Sequence, residues 1–117
     1  MTPDQQHTPL ALIVDDDAVN RLMARAALES AGWSVEEAEN GREALAVFQQ
    51  VHPDVVLLDI MMPEMDGFAA CAALRKLSEG EHTPVLIMTG LDDYDSITKA
   101  YDAGATDFLT KPLNGLL

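Results

Sequence analysis

The sequence has little that would attract polyanions, form disulfides or cross a membrane. Only 7 of its 117 residues are Lys or Arg, against 20 Asp or Glu, and the formal net charge is -13. This balance argues against direct binding of nucleic acid. The single cysteine, Cys71, excludes a disulfide framework and fits a reducing cytoplasm. No apolar run approaches the roughly 20 residues of a membrane helix, so we expect no membrane insertion.

Five short β-prone segments predict the strands of one domain. They lie at Leu10–Val14, 33–38, Val55–Asp59, 84–88 and 106–110. The segments between them have helical periodicity, and the first of these predicts an inward stripe of Val19, Leu22, Met23, Ala26 and Ala27. Strands that alternate with helices predict an α/β fold, a flavodoxin-like three-layer sandwich with a parallel sheet in the order 2-1-3-4-5.

Polar side chains stand at the ends of four of these strands. Asp15 and Asp16 follow the first, Asp59 ends the third, and Thr89 and Lys111 follow the fourth and fifth. The carboxyl ends of parallel strands share one edge of the sheet, so these side chains should meet there. Three converging carboxylates repel each other unless a cation intervenes, and oxygen ligands favour Mg²⁺. A lone Asp59 would be read as a turn residue, and the three histidines (His7, His52, His82) are dispersed and receive no role.

The lysine and the hydroxyl indicate more than a metal site. An ammonium group and a hydroxyl beside Mg²⁺ are donors that stabilise phosphoryl oxygens. A carboxylate in such a site can attack phosphorus and form an aspartyl phosphate. Asp59 is the predicted nucleophile, with Lys111 and Thr89 as its partners.

Four stretches of the sequence together resemble the receiver domain of bacterial two-component response regulators. They are residues 12–17, 57–67, 88–90 and 104–112. The resemblance implies that Asp59 accepts a phosphoryl group from a histidine kinase or a histidine phosphotransfer protein. It implies that Asp16, Asp59 and the backbone carbonyl of Met61 ligate Mg²⁺, with Mn²⁺ as an alternative, and that Asp15 acts mainly through water.

The same resemblance implies a switch rather than an enzyme that turns over outside substrates. Thr89 would move toward the phosphoryl group, Lys111 would pair with it, and Phe108 would be the switch aromatic. The resulting shift would control an output module. The fourth helix, fifth strand and fifth helix would form the output face and a possible homodimer contact.

The resemblance also suggests how the chain is organised. We expect a flexible leader at 1–9 and a receiver domain at 10–117, with a truncated fifth helix and an output module beyond Leu117. The stretch 110–117, together with 89–93, looks like receivers joined to cyclic-di-GMP modules. The expected location is the cytoplasm.

Two other functions compete with this interpretation. The first is a Mg²⁺-dependent phosphohydrolase of the haloacid dehalogenase type, which needs an acid two residues after its nucleophile. Met61 stands at that position, so this function is disfavoured. The second is a receiver-like interaction module that never takes phosphate, and the intact set of polar residues argues against it.

Overall fold

The computed structural model describes residues 8–60, 66–77, 80–89 and 94–110. In this part of the chain the strands are β1 (Leu10–Val14), β2 (Ser34–Ala38), β3 (Val55–Asp59), β4 (Val85–Thr89) and β5 (Asp107–Thr110). The helices are α1 (Ala18–Ser30), α2 (Gly41–Val51), α3 (Gly67–Arg75) and α4 (Tyr94–Asp102). The predicted fifth helix and all but the last two residues of the predicted leader lie outside the described residues.

The five strands form one parallel sheet in the order β2-β1-β3-β4-β5, which confirms the prediction. Val14 lies beside Leu58, and Asp59 lies beside Met88. The residues that follow β1 and the last residue of β3 therefore reach the same edge of the sheet, here called the carboxyl edge.

Helices cover both faces of the sheet and bury its apolar residues. On one face, Phe48 of α2, Leu74 of α3 and Ala100 of α4 belong to one buried cluster. On the other face, Ala24 and Leu28 of α1 pack in a second cluster. This arrangement confirms the predicted three layers. Among the described helices, none combines the length and the apolar composition that crossing a bilayer requires.

Side-chain caps fix where three of the helices begin. The carboxylate of Asp17 accepts from the amide of Val19 at 2.8 Å, and that of Asp66 accepts from Ala69 at 2.8 Å. The side chain of Asn40 caps α2 in the same way. Each cap satisfies an amide that the helix itself leaves without an acceptor, which typically contributes about 1 kcal/mol. Two of these caps thus connect the ends of β1 and β3 to the helices that follow them.

The buried face of α1 differs from the prediction. Four of the five members of the predicted stripe are exposed: Val19 (61%), Leu22 (64%), Met23 (39%) and Ala26. The helix instead turns Ala24 and Leu28 toward the sheet, and the side chain of Arg21 is only 13% exposed. The periodicity was misleading because a charged residue with an ion-pair partner occupies the sheet side of the helix.

Arg75 ties together the loops at the edge of the sheet opposite the carboxyl edge. Its Nη1 donates to the carbonyls of Gly80 and Thr83, both at 2.6 Å. Its Nε donates to the carbonyl of Gly104 at 2.8 Å, and its Nη2 donates to Thr106 Oγ1 at 3.2 Å. α3 ends at Arg75, whose guanidinium satisfies the carbonyls of the loops around it.

Candidate functional site

Three carboxylates meet at the carboxyl edge of the sheet, as the sequence predicts. One carboxylate oxygen of each residue takes part, and the three oxygens, from Asp15, Asp16 and Asp59, all lie within 4.8 Å of one another. Asp15 and Asp59 are buried, with relative exposures of 1% and 4%, whereas Asp16 is exposed. The carboxylate cluster formed by these three residues is therefore closed on the protein side and open to solvent on the other.

The loop after β1 is held by hydrogen bonds at Asp15. Its amide donates to the carbonyl of Ala38 at 3.1 Å, which continues the β1–β2 ladder by one step. Its Oδ1 accepts from the amide of Asp17 at 2.9 Å, and Asp17 in turn caps α1. These bonds fix Asp15 between the edge strand and the helix.

The backbone around Asp59 is held from the other side by the start of α3. The amide of Gly67 donates to the carbonyl of Ile60 at 3.0 Å. A Cβ at position 67 would lie 2.3 Å from the carbonyl oxygen of Asp59 and 2.6 Å from Ile60 Cα. Only glycine allows α3 to approach the end of β3 this closely. Gly67 is thus a site-shaping residue that the sequence marks only as part of the stretch 57–67.

The electrostatics of the cluster favour a bound cation. One carboxylate oxygen of Asp15 and one of Asp59 lie within 4.8 Å of each other, and two such charges repel by roughly 3 kcal/mol or more at an effective dielectric constant near 20. Positive charge beside them offsets this repulsion. Three oxygen donors fit a hard divalent ion such as Mg²⁺, which also keeps several water ligands on an open side. Of the described histidines, His52 ends α2 and His82 lies 3.2 Å from Glu81, so neither belongs to this donor set.

The remaining predicted site residues are only partly described. Thr89 is the last residue of β4, and the strand register puts it one step beyond the neighbour of Asp59. The Thr89 side chain, Met61 and Lys111 lie outside the described residues. Thr89 of β4 is paired with Thr110 of β5, so the last residues of these two strands lie at the same edge of the sheet.

Phe108 lies in β5 and packs half-buried against the larger core cluster. The ring of Tyr101 meets it edge-on, with centroids 6.3 Å apart and an interplanar angle of 85°. The Tyr101 hydroxyl also donates to Asp107 Oδ1 at 3.1 Å, which raises the pKa of this phenol above its usual range. Tyr101 is 47% exposed, so its ring covers Phe108 from the solvent side.

Sequence reasoning missed Arg21, which touches the loop that carries the cluster. Its Nη1 donates to the carbonyl of Asp15 at 2.7 Å. The helical pattern of α1 gave no reason to turn an arginine toward the sheet. Glu37 could have indicated this contact. It is an acid in β2, the strand at the side of the sheet next to α1, where an arginine of that helix can pair with it.

Comparison with known proteins identifies relatives over nearly the whole chain. The profile of the response regulator receiver domain family matches residues 11–115. Response regulator MprA of Mycolicibacterium vanbaalenii is 45% identical over 101 residues, which are 86% of this chain and 43% of the relative. RpaA of Synechocystis sp., a DNA-binding dual master transcriptional regulator, is 38% identical over 106 residues, 91% of this chain and 44% of the relative. The chain thus spans less than half the length of these curated relatives.

Solved structures match more of their own length. The chemotaxis response regulator CheY4 of Vibrio cholerae has a TM-score of 0.87 and 38% identity, covering 92% of this chain and 90% of that one. The receiver domain of a signal transduction histidine kinase from Syntrophus aciditrophicus has a TM-score of 0.82 and 35% identity, covering 90% and 80%. Both structures share the fold described above.

Proposed function

This chain belongs to the family of response regulator receiver domains, the phosphoacceptor modules of two-component signalling, and we propose that Asp59 is its phosphoacceptor. The observation that carries this proposal is the carboxylate cluster, in which Asp59 ends the central strand with Asp15 and Asp16 beside it. Asp59 is also held against the start of α3, so its backbone is fixed while the cluster opens to solvent. The donor is the phosphohistidine of a histidine kinase or a histidine phosphotransfer protein.

The reaction transfers one phosphoryl group to a carboxylate. An oxygen of Asp59 attacks phosphorus, the P–N bond breaks, and the histidine nitrogen keeps the electron pair and takes up a proton. Asp16, Asp59 and the Met61 carbonyl would hold Mg²⁺, or Mn²⁺ in its place, with Asp15 acting mainly through water. The ion would supply positive charge beside the transferred oxygens.

The proposed conformational response involves three further residues. Lys111 pairs with the phosphoryl group, Thr89 turns toward it, and Phe108 changes its packing against the core. Because these contacts exist in only one of two states, they shift the population toward that state. The domain is a switch that catalyses its own phosphorylation and dephosphorylation, and it does not turn over outside substrates.

The proposed context follows from the relatives. We further propose a leader at 1–9, a receiver domain at 10–117 and an output module in the whole protein, because the chain spans less than half the length of the curated relatives it matches. The description of RpaA as DNA-binding supports a DNA-binding output more than the cyclic-di-GMP module that the sequence suggests. The proposed output face, and the surface through which a homodimer could form, consists of the fourth helix, the fifth strand and the fifth helix. A phosphohistidine donor inside the cell implies a cytoplasmic location.

Intact mass after incubation with Mg²⁺ and a small-molecule phosphodonor tests the proposal. We expect one added phosphoryl group on the wild-type chain, none without a divalent ion, and none on Asp59→Asn. The matched control is Asp66→Asn, because asparagine keeps the α3 cap and the site carboxylates are untouched. Phosphorylation of Asp59→Asn to the wild-type level would contradict the assignment. Sustained release of phosphate from unrelated esters would favour the hydrolase instead, and an unchanged wild-type mass would favour the interaction module.

A further inference from the structure

The guanidinium of Arg21 joins the carboxylate cluster to the edge strand. Its Nε donates to Glu37 Oε1 at 2.9 Å, and its Nη1 donates to the backbone carbonyl of Asp15 at 2.7 Å. Its Nη2 lies 3.8 Å from Glu39 Oε1. A planar guanidinium with donors in fixed directions connects two such acceptors with little freedom. Arg21 therefore holds β2 and the first residue after β1 in a fixed relative position.

The bond from Arg21 orients the peptide that leads into the carboxylate cluster. The carbonyl that Arg21 holds belongs to the Asp15–Asp16 peptide, so its direction determines where the chain continues at Asp16. The other bonds at this loop go to the Asp15 amide and to Asp15 Oδ1. The Arg21 contact holds the far side of that peptide. Asp16 is exposed, and packing does little to hold its side chain.

The charge of Arg21 is balanced locally. Glu37 also accepts from Arg25 Nε at 2.6 Å, and Arg25 pairs with Glu29 at 3.0 Å. Bonds from Arg25 and then Arg21 keep the pKa of the Glu37 carboxyl below its usual range, so Glu37 stays ionised at neutral pH. With its charge offset, Arg21 can orient the loop without strongly opposing a cation in the cluster.

From this geometry we propose that Arg21, braced by Glu37, is a positioning residue that presents Asp16 to the metal. It touches neither the metal nor the phosphoryl group, and it acts through the carbonyl of Asp15. The inference rests on the proposed function, since it assumes that the carboxylate cluster binds Mg²⁺.

The test compares Arg21→Ala with Arg25→Ala. Both variants lose one arginine from the same helix face and one bond to Glu37, and Arg25 also donates to a backbone carbonyl, that of Val35 at 3.3 Å. Only Arg21 contacts the Asp15 carbonyl. The Mg²⁺ dissociation constant is measured by calorimetry, and thermal unfolding and amide hydrogen exchange at Asp16 and Asp17 are measured without metal.

For Arg21→Ala we expect Mg²⁺ binding to weaken on the order of tenfold, as is typical when a group that orients a metal ligand is lost. Amide exchange at Asp16 and Asp17 should also become faster. Arg25→Ala should lose similar thermal stability, keep its Mg²⁺ affinity within about twofold, and leave that exchange unchanged. Arg21→Lys, which keeps the charge and one donor, should recover part of the affinity.

Equal changes of Mg²⁺ affinity in Arg21→Ala and Arg25→Ala would overturn the inference, because they would reflect only lost charge or stability. An unchanged affinity in Arg21→Ala would overturn it as well. If Arg21→Ala does not fold, Arg21→Lys decides: weaker Mg²⁺ binding and faster amide exchange at Asp16 and Asp17 than in Arg25→Ala would support the inference, and changes no greater than those of Arg25→Ala would overturn it. A wild-type chain that binds no Mg²⁺ would overturn the proposed function itself.

Discussion

Glu37 joins β2 to α1 by accepting hydrogen bonds from two arginines of that helix. Its two oxygens accept from Arg21 at 2.9 Å and from Arg25 at 2.6 Å, and its side chain is 30% exposed. The bond from Arg25, followed by that from Arg21, lowers the Glu37 pKa, and the same pairing raises the pKa of Arg25. Folding lowers the pKa of Glu37, so its contribution to the free energy of unfolding is fully present above the pKa of the unfolded state. That contribution is lost as the pH falls through the pKa of the folded state.

The loss of stability in Glu37→Gln should therefore depend on pH. At pH 7 we expect its free energy of unfolding to be on the order of 1 kcal/mol below that of the wild-type chain, a value reduced by solvent exposure. Below pH 4.5, the ordinary value of this carboxyl, the difference should shrink as wild-type Glu37 takes up a proton. Urea unfolding across this pH range measures it. A difference that stays constant would mean that the carboxylate charge contributes nothing.

At the scale of single residues, the sequence predicted the cluster but not its support. Asp15, Asp16 and Asp59 could be brought together because each follows or ends a strand whose neighbours are set by the sheet order. Arg21 could not be predicted in the same way, since its partner Glu37 is 16 residues further along and belongs to another element. Contacts of this kind depend on which way a helix is rotated, and apolar spacing alone determined that wrongly here.

The contact between α3 and the end of β3 determines how the phosphoacceptor strand joins its helix. Gly67 is the first residue of α3 and is buried, and its amide bonds to the Ile60 carbonyl. A methyl group there would meet the Asp59 carbonyl oxygen at 2.3 Å. Because that oxygen belongs to backbone rather than to a flexible side chain, either the helix or the strand end must move.

Gly67→Ala should consequently destabilise the chain by about 2 kcal/mol, within the range seen when a close-packed position is overfilled. The Mg²⁺ affinity should fall as well, because the backbone that the methyl group displaces carries Asp59. Gly32→Ala is the control: its φ of +95° strains any L-residue, but a Cβ there has nothing within 4 Å. Unfolding and calorimetry on both variants separate the effects. Equal losses of metal affinity in the two would contradict a local role for Gly67.

At the scale of elements, the sequence predicted the strands and their order better than the faces of the helices. Short β-prone apolar runs such as Val55–Asp59 favour strands, and the alternation with helices limits the topologies. Three apolar residues of α1, Val19, Leu22 and Met23, have the spacing of a buried stripe, but their side chains are exposed to solvent. The inward side of α1 carries Ala24 and Leu28, which pack on the sheet, and Arg21, which pairs with Glu37 of β2.

The two edges of the sheet are stabilised in different ways. At one edge, Arg75 gathers three carbonyls and a hydroxyl, so positive charge closes the loops without any ligand. At the carboxyl edge, three acids converge, and the whole chain carries a net charge of -13. Stability at that edge should depend on cations, whereas the Arg75 edge should not respond to them.

Mg²⁺ should therefore stabilise the folded chain through the carboxylate cluster. A ligand that binds only the folded state raises the free energy of unfolding by about 2.7 kcal/mol at roughly 100 times its dissociation constant. Asp59→Asn removes a buried ligand and one of the repelling charges, so we expect higher stability than wild type without metal and little further gain when Mg²⁺ is added. Asp66→Asn, which leaves the cluster intact, should respond like the wild-type chain, and Na⁺ at matched ionic strength controls for screening. If Asp59→Asn gained as much from Mg²⁺ as the wild-type chain does, the stabilising ion would bind somewhere other than the carboxylate cluster.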